Sequence, residues 1–98
     1  MTRKKEGIVR KGYRFMGYVQ GVGFRWRARN AANAFGVTGW VRNDYDGAVS
    51  MELQGREEQI EEVILSIERG RYVEIENMYC KTMPVIENER SITVLEDE

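Results

Sequence analysis

The chain has 98 residues, 42% hydrophobic and 32% charged, which is enough for one modest core and too short for two domains. Its net charge is −1, so no overall field favours nucleic acid or an anionic membrane. It has no histidine and a single cysteine, Cys80, which removes the commonest metal ligand and general base, leaves no Ser-His or Cys-His pair and excludes an internal disulfide.

Residues 1–8 read as a basic, flexible tail and residues 9–98 as a single domain. Arg3, Lys4, Lys5, Arg10, Lys11 and Arg14 oppose only Glu6 at the start of the chain, and the plain reading of that charge is a solvated arm. No apolar run follows it, so no signal peptide is expected, and no stretch approaches the ~18 apolar residues of a membrane span. With the lone cysteine, this fits a reducing, cytoplasmic setting.

The first strand is predicted over residues 13–19, with Tyr13 and Phe15 on one face. A glycine-rich break follows. From Phe24 the spacing turns helical: Phe24, Ala28, Ala31, Ala32 and Phe35 form one stripe, and Gly36 is a stop signal. Residues 37–43 read as a second strand and 48–54 as a third, joined by a tight turn through Asp46-Gly47, with Gly55 as the end of the third. A second helix covers 57–68, with Ile60, Val63, Ile64 and Ile67 on one face. A fourth strand is expected over 71–81, and a short last strand over 91–95. The order β-α-β-β-α-β(-β) predicts an α+β, ferredoxin-like sandwich: an antiparallel sheet with two helices on one face.

The break over residues 17–25, GYVQGVGFR, stands between a strand and a helix. Glycines there can take positive φ and leave successive N–H groups uncovered as an anion nest, to which the helix adds its positive end. Arg25 offers a planar fork of donors to phosphate or carboxylate. The blander possibility is a tight turn and nothing more. Neither the P-loop nor the dinucleotide fingerprint fits: no Gly-Lys-Ser/Thr is present, and Trp26 stands where a third glycine would be needed. Val19, six residues before Arg25, is not a cysteine, so a phosphate held here is not expected to form a phosphocysteine. Asn43 ends the second strand before the turn, where ordinary turn chemistry alone could account for it.

Residues 17–25 resemble the acylphosphatase signature G-x-V-Q-G-V-x-F-R. Residues 39–49, GWVRNDYDGAV, resemble the second block of that family, G-W-V-x-N-x-x-D-G-x-V, and every fixed position of both is filled. The resemblance covers about residues 10–95. It implies a cofactor-free, metal-free hydrolase that cleaves the carboxyl–phosphate bond of small-molecule acylphosphates to a carboxylate and inorganic phosphate. It also implies that Gln20, Gly21, Val22, Gly23, Phe24 and Arg25 form the phosphate loop, that Arg25 is essential, and that Asn43 orients the attacking water.

The chemistry is compatible with a histidine-free chain, because phosphoryl transfer asks mainly for positioning and charge stabilisation. The only carboxylates inside either block are Asp44 and Asp46, so the substrate's own phosphate is the expected proton acceptor. No membrane or nucleic-acid partner is expected, and a monomer is. The competing reading is a non-catalytic anion- or RNA-binding module that would use Tyr13, Phe15 and Tyr18 to stack bases. Trp26 and Trp40 read as packing or surface aromatics, Arg27 and Arg29 as a solvated face, Asp46 as a turn residue and Cys80 as inert.

Overall fold

A computed structural model describes residues 7–97. Its first element, β1 (Ile8–Tyr18), lies antiparallel between β3 (Val49–Arg56) and β4 (Glu74–Met83). Helix α1 (Phe24–Phe35) and β2 (Thr38–Asn43) connect β1 to β3, α2 (Glu57–Glu68) follows β3 directly, and β5 (Ile92–Val94) is the last strand. The strands form one sheet in the order β4-β1-β3-β2-β5. The helices lie side by side on one face, burying Phe15, Val41, Met51 and Leu53 of the sheet against Ala28, Ala32, Ile60, Val63 and Ile67. Each large apolar side chain so covered contributes about 1.5–3 kcal/mol. The architecture is the expected α+β, ferredoxin-like sandwich.

One part of that expectation is corrected: the sheet is mixed, because β5 pairs parallel with β2. β4 ends at the end of the sheet where β2 begins. The chain crosses that end through residues 84–91 and can only return alongside β2 in β2's own direction. Side chains from β1 and β3 hold the crossing. Arg10, buried on β1, donates from Nε to Glu52 (2.7 Å) and from Nη1 to Glu89 (2.7 Å). Gln54 donates to the Ile86 carbonyl (2.9 Å) and accepts from its N–H (2.8 Å).

This network also corrects the reading of the basic N-terminal stretch. Residues 1–6 lie outside the described residues, but Ile8 already pairs with Arg56 in β1. Arg10, Lys11 and Arg14 are strand residues with carboxylate partners: Lys11 meets Glu57 at 2.6 Å, and Arg14 pairs with Asp46. Periodicity starts the strand at Tyr13 because Arg10 and Lys11 interrupt the apolar alternation; cross-chain carboxylates make those positions tolerable.

Both helices occupy the spans their spacing predicts, and Gly36 ends α1 at φ 71°. β3 runs through Gly55, which pairs with Val9, instead of stopping there. β4 begins later than predicted because a turn, closed by Val73 N–H to the Gly70 carbonyl (3.1 Å), precedes it. Tyr13 and Phe15 face the helices, stacked at 5.5 Å, and Phe15 packs on Phe24 at 5.0 Å. Neither is available to stack a base, so the RNA-binding reading loses two of its three aromatics; Tyr18 is exposed.

Candidate active site

β1 and β2 run in the same direction, since each is antiparallel to β3. The loop that follows β1 and the last residue of β2 therefore emerge at one end of the sheet. Within the loop, apolar side chains anchor and glycines expose. Val19 and Phe24 are buried and Val22 packs against the core, while Gly21 and Gly23 face outward. Gly21 (φ 72°) and Gly23 (φ 83°) have nothing within 4 Å of where a Cβ would stand. They are needed for the direction of the backbone and not for room around it.

Gly23 is the N-cap of α1, which starts with no side-chain cap and no acid in its first turn. Its first N–H groups thus have no acceptor within the helix and stand at the positive end of the helix dipole. Arg25 lies in that first turn, its side chain 34% exposed, with Nη1 2.8 Å from Asp97 Oδ1. Sequence reasoning records the acidic end of the chain but not this contact. Leu95 N–H donates to the Val41 carbonyl (2.9 Å) and so carries the segment after β5 along β2 to Arg25.

Along β2, Gly39, Val41 and Asn43 point inward while Trp40 and Arg42 point to the open face. Alternation therefore turns Asn43 to the side of the sheet that carries α1. Its side chain is buried, at 7% exposure, and its Oδ1 has no hydrogen-bond partner among the described residues. A buried acceptor left unmet costs about 1–3 kcal/mol and commonly marks a position that serves a ligand or water. Gln20 gives both side-chain N–H groups to the β2–β3 hairpin: Nε2 is 2.7 Å from the Asp44 carbonyl and 2.8 Å from that of Ala48. The residues singled out in sequence, 20–25 and Asn43, thus share one end and one face of the sheet.

The two carboxylates of the hairpin are otherwise engaged. Asp44 accepts from Arg42 Nε (3.1 Å) and from the Ser50 hydroxyl. Asp46 accepts from the Ala48 N–H (3.1 Å) and pairs with Arg14. The Ala48 N–H first, and Arg14 second, hold the Asp46 carboxyl below its ordinary range. Arg27 reaches across to the Ser66 carbonyl on α2 (3.3 Å), so it braces the helix pair and is not part of a solvated face; Arg29 is exposed. Trp26 is 61% exposed, and Arg42 lies over the Trp40 ring at 5.2 Å on the open face. Among the described residues no three His, Cys, Asp or Glu side chains are grouped to hold a metal, and no helix is long and apolar enough to cross a membrane.

Comparison with known proteins identifies the family. The acylphosphatase family model matches residues 11–92. The acylphosphatase of Clostridium acetobutylicum is 37% identical over 81 residues, covering 82% of this chain and 89% of that protein. The acylphosphatase of Bifidobacterium longum is 37% identical over 86 residues, covering 87% and 89%. The solved structure of an acylphosphatase from Coxiella burnetii has a TM-score of 0.84 and 27% identity, covering 97% of this chain and all of that one (100%). The chain belongs to the acylphosphatase family of enzymes.

Proposed function

We propose that the protein hydrolyses small-molecule acylphosphates by direct attack of a water held by Asn43 on a phosphoryl group held by residues 20–25 and Arg25. The observation that carries this reading is the buried Oδ1 of Asn43, without a hydrogen-bond partner among the described residues, on the same face and at the same end of the sheet as the uncapped start of α1. An amide oxygen that accepts one hydrogen from water aims the water's lone pair elsewhere. The loop N–H groups and the Arg25 fork suit the three equatorial oxygens, where charge lies in the transition state.

The step balances without an enzyme base. The water oxygen bonds to phosphorus, the bond from phosphorus to the acyl oxygen breaks, and the carboxylate leaves with the electron pair. The water proton passes to a non-bridging phosphoryl oxygen. The commitment of Asp44 and Asp46 to the hairpin supports that route. All the groups invoked come from one chain, so a monomer suffices.

The test is hydrolysis of benzoyl phosphate in ¹⁸O-labelled water. Attack at phosphorus puts the label in phosphate; label in benzoate refutes the mechanism. Asn43→Ala should lower kcat by about 10²–10³ while the Ki of inorganic phosphate holds. Arg25→Ala should weaken both. Equal loss of phosphate affinity in the two variants would refute the role given to Asn43.

A further inference from the structure

We infer that Gln20 is a positioning residue, the strap that sets the water held by Asn43 at its distance from the bound phosphorus. The inference rests on the function proposed above and adds a residue to it. Gln20 opens the phosphate loop, yet its side-chain amide is bound to the neck of the β2–β3 hairpin. The two acceptors are the carbonyls of Asp44, which directly follows Asn43, and of Ala48, which directly precedes Val49, the β3 partner of Asn43. The Ala48 carbonyl also accepts from Asp44 N–H at 2.9 Å, the bond that closes the hairpin.

One amide therefore joins the element that would hold phosphate to the element that would hold water. No ladder bond does this, because β1 and β2 are not neighbours; β3 lies between them. Arg14 also ties β1 to the hairpin, pairing with Asp46 and lying 3.7 Å from Asp44, but that contact starts on the strand and ends on side chains, whereas Gln20 starts in the loop and ends on the backbone of the hairpin neck. Displacement of a reacting group by ~1 Å costs about 10² in rate. The geometry also specifies the residue type. Both acceptors are carbonyl oxygens, so the site needs two N–H donors on one atom, which a primary amide supplies and a carboxylate does not.

The experiment compares Gln20→Glu and Gln20→Met with the wild type, with Asn43→Ala alongside, on benzoyl phosphate from pH 4.5 to 8. At neutral pH the carboxylate introduced by Gln20→Glu faces two carbonyl oxygens. Its kcat should fall about 10- to 10²-fold with the Ki of inorganic phosphate within twofold of the wild type. As pH falls, the protonated carboxyl regains one O–H donor, so the ratio of variant to wild-type kcat should climb. Gln20→Met, which keeps the bulk and has no donor, should show the loss without the climb.

Wild-type kcat in Gln20→Glu at neutral pH overturns the strap, as does a loss that appears in the phosphate Ki instead of kcat. If Asn43→Ala is as fast as the wild type, the water reading fails instead. The strap is then judged by exchange of the Asp44 amide hydrogen, whose protection should drop at least tenfold in Gln20→Met; unchanged protection overturns it. The same measurement decides the matter if Gln20→Glu fails to fold.

Discussion

Asp97→Asn removes the carboxylate that Arg25 holds at 2.8 Å, and it tests whether that contact competes with substrate. The two oxyanions, carboxylate and phosphate, ask for the same fork of donors. If Arg25 holds the phosphoryl group as proposed, that group must first displace Asp97, and apparent affinity falls by the fraction of time the pair is closed. The side chains are 34% and 64% exposed, so the pair is a surface one, worth about 0.2–1 kcal/mol. An equilibrium of that size keeps the contact closed about one to five times as long as open, and its loss should tighten phosphate about two- to sixfold. The assay is competitive inhibition of benzoyl phosphate hydrolysis by inorganic phosphate. The predicted result is a lower Ki in Asp97→Asn with kcat unchanged. The gain should shrink in about 0.5 M salt, where screening already weakens the pair. Weaker phosphate binding in the variant would refute the competition and show instead that Asp97 holds Arg25 in its binding pose.

Gly39→Ala should abolish stable folding, because the added Cβ would stand 1.8 Å from the Glu52 carbonyl oxygen at a φ of +144°; a urea transition within about 1 kcal/mol of the wild type would contradict the close approach of β2 to β3. Tyr13 supplies the pH dependence: burial first, and its neighbour Cys80 second, push its ionisation up from the ordinary 10.0. The neutral phenol belongs to the folded state, so its stabilisation is complete below pH 10 and is lost as pH rises above it. Urea midpoints measured from pH 9 to 11 should accordingly fall less steeply in Tyr13→Phe than in the wild type.

Local chemistry was legible where one stretch of chain carries its own reason. The apolar stripe at Phe24, Ala28, Ala31 and Ala32 fixes α1, and the alternation in β2 fixes which way Asn43 points. The loop was legible because its apolar residues and its glycines do opposite things within a few positions. What the sequence hid are pairings between distant residues. Arg25 and Asp97 are 72 apart in the chain, and Arg10 and Glu89 are 79 apart. Arg10 reads as a surface cation because burial of a guanidinium has no local signature; Glu52, Gln54 and Glu89, brought to it by the fold, permit it. Gln20 was assigned to phosphate by its place in the motif, while its side-chain donors are 24 and 28 residues away in sequence from what they bind.

Those hidden pairings bear on how a chain without histidine can run a hydrolysis. An acylphosphate brings its own negative charge, a proton acceptor and a carboxylate leaving group. What it lacks is a fixed relation between phosphorus and water. In the mechanism proposed above, that relation falls to the glycines that aim backbone N–H groups, to Asn43, whose Oδ1 has no partner among the described residues, and to the glutamine that joins the two elements. The acids nearby, Asp44 and Asp46, hold the hairpin's shape. Rate in such a site should depend more on distance than on the pKa of any enzyme group. The wild-type pH–kcat profile should then follow the ionisation of the substrate phosphate, and a variant that moves the hairpin should lose kcat at every pH where the substrate's charge is unchanged.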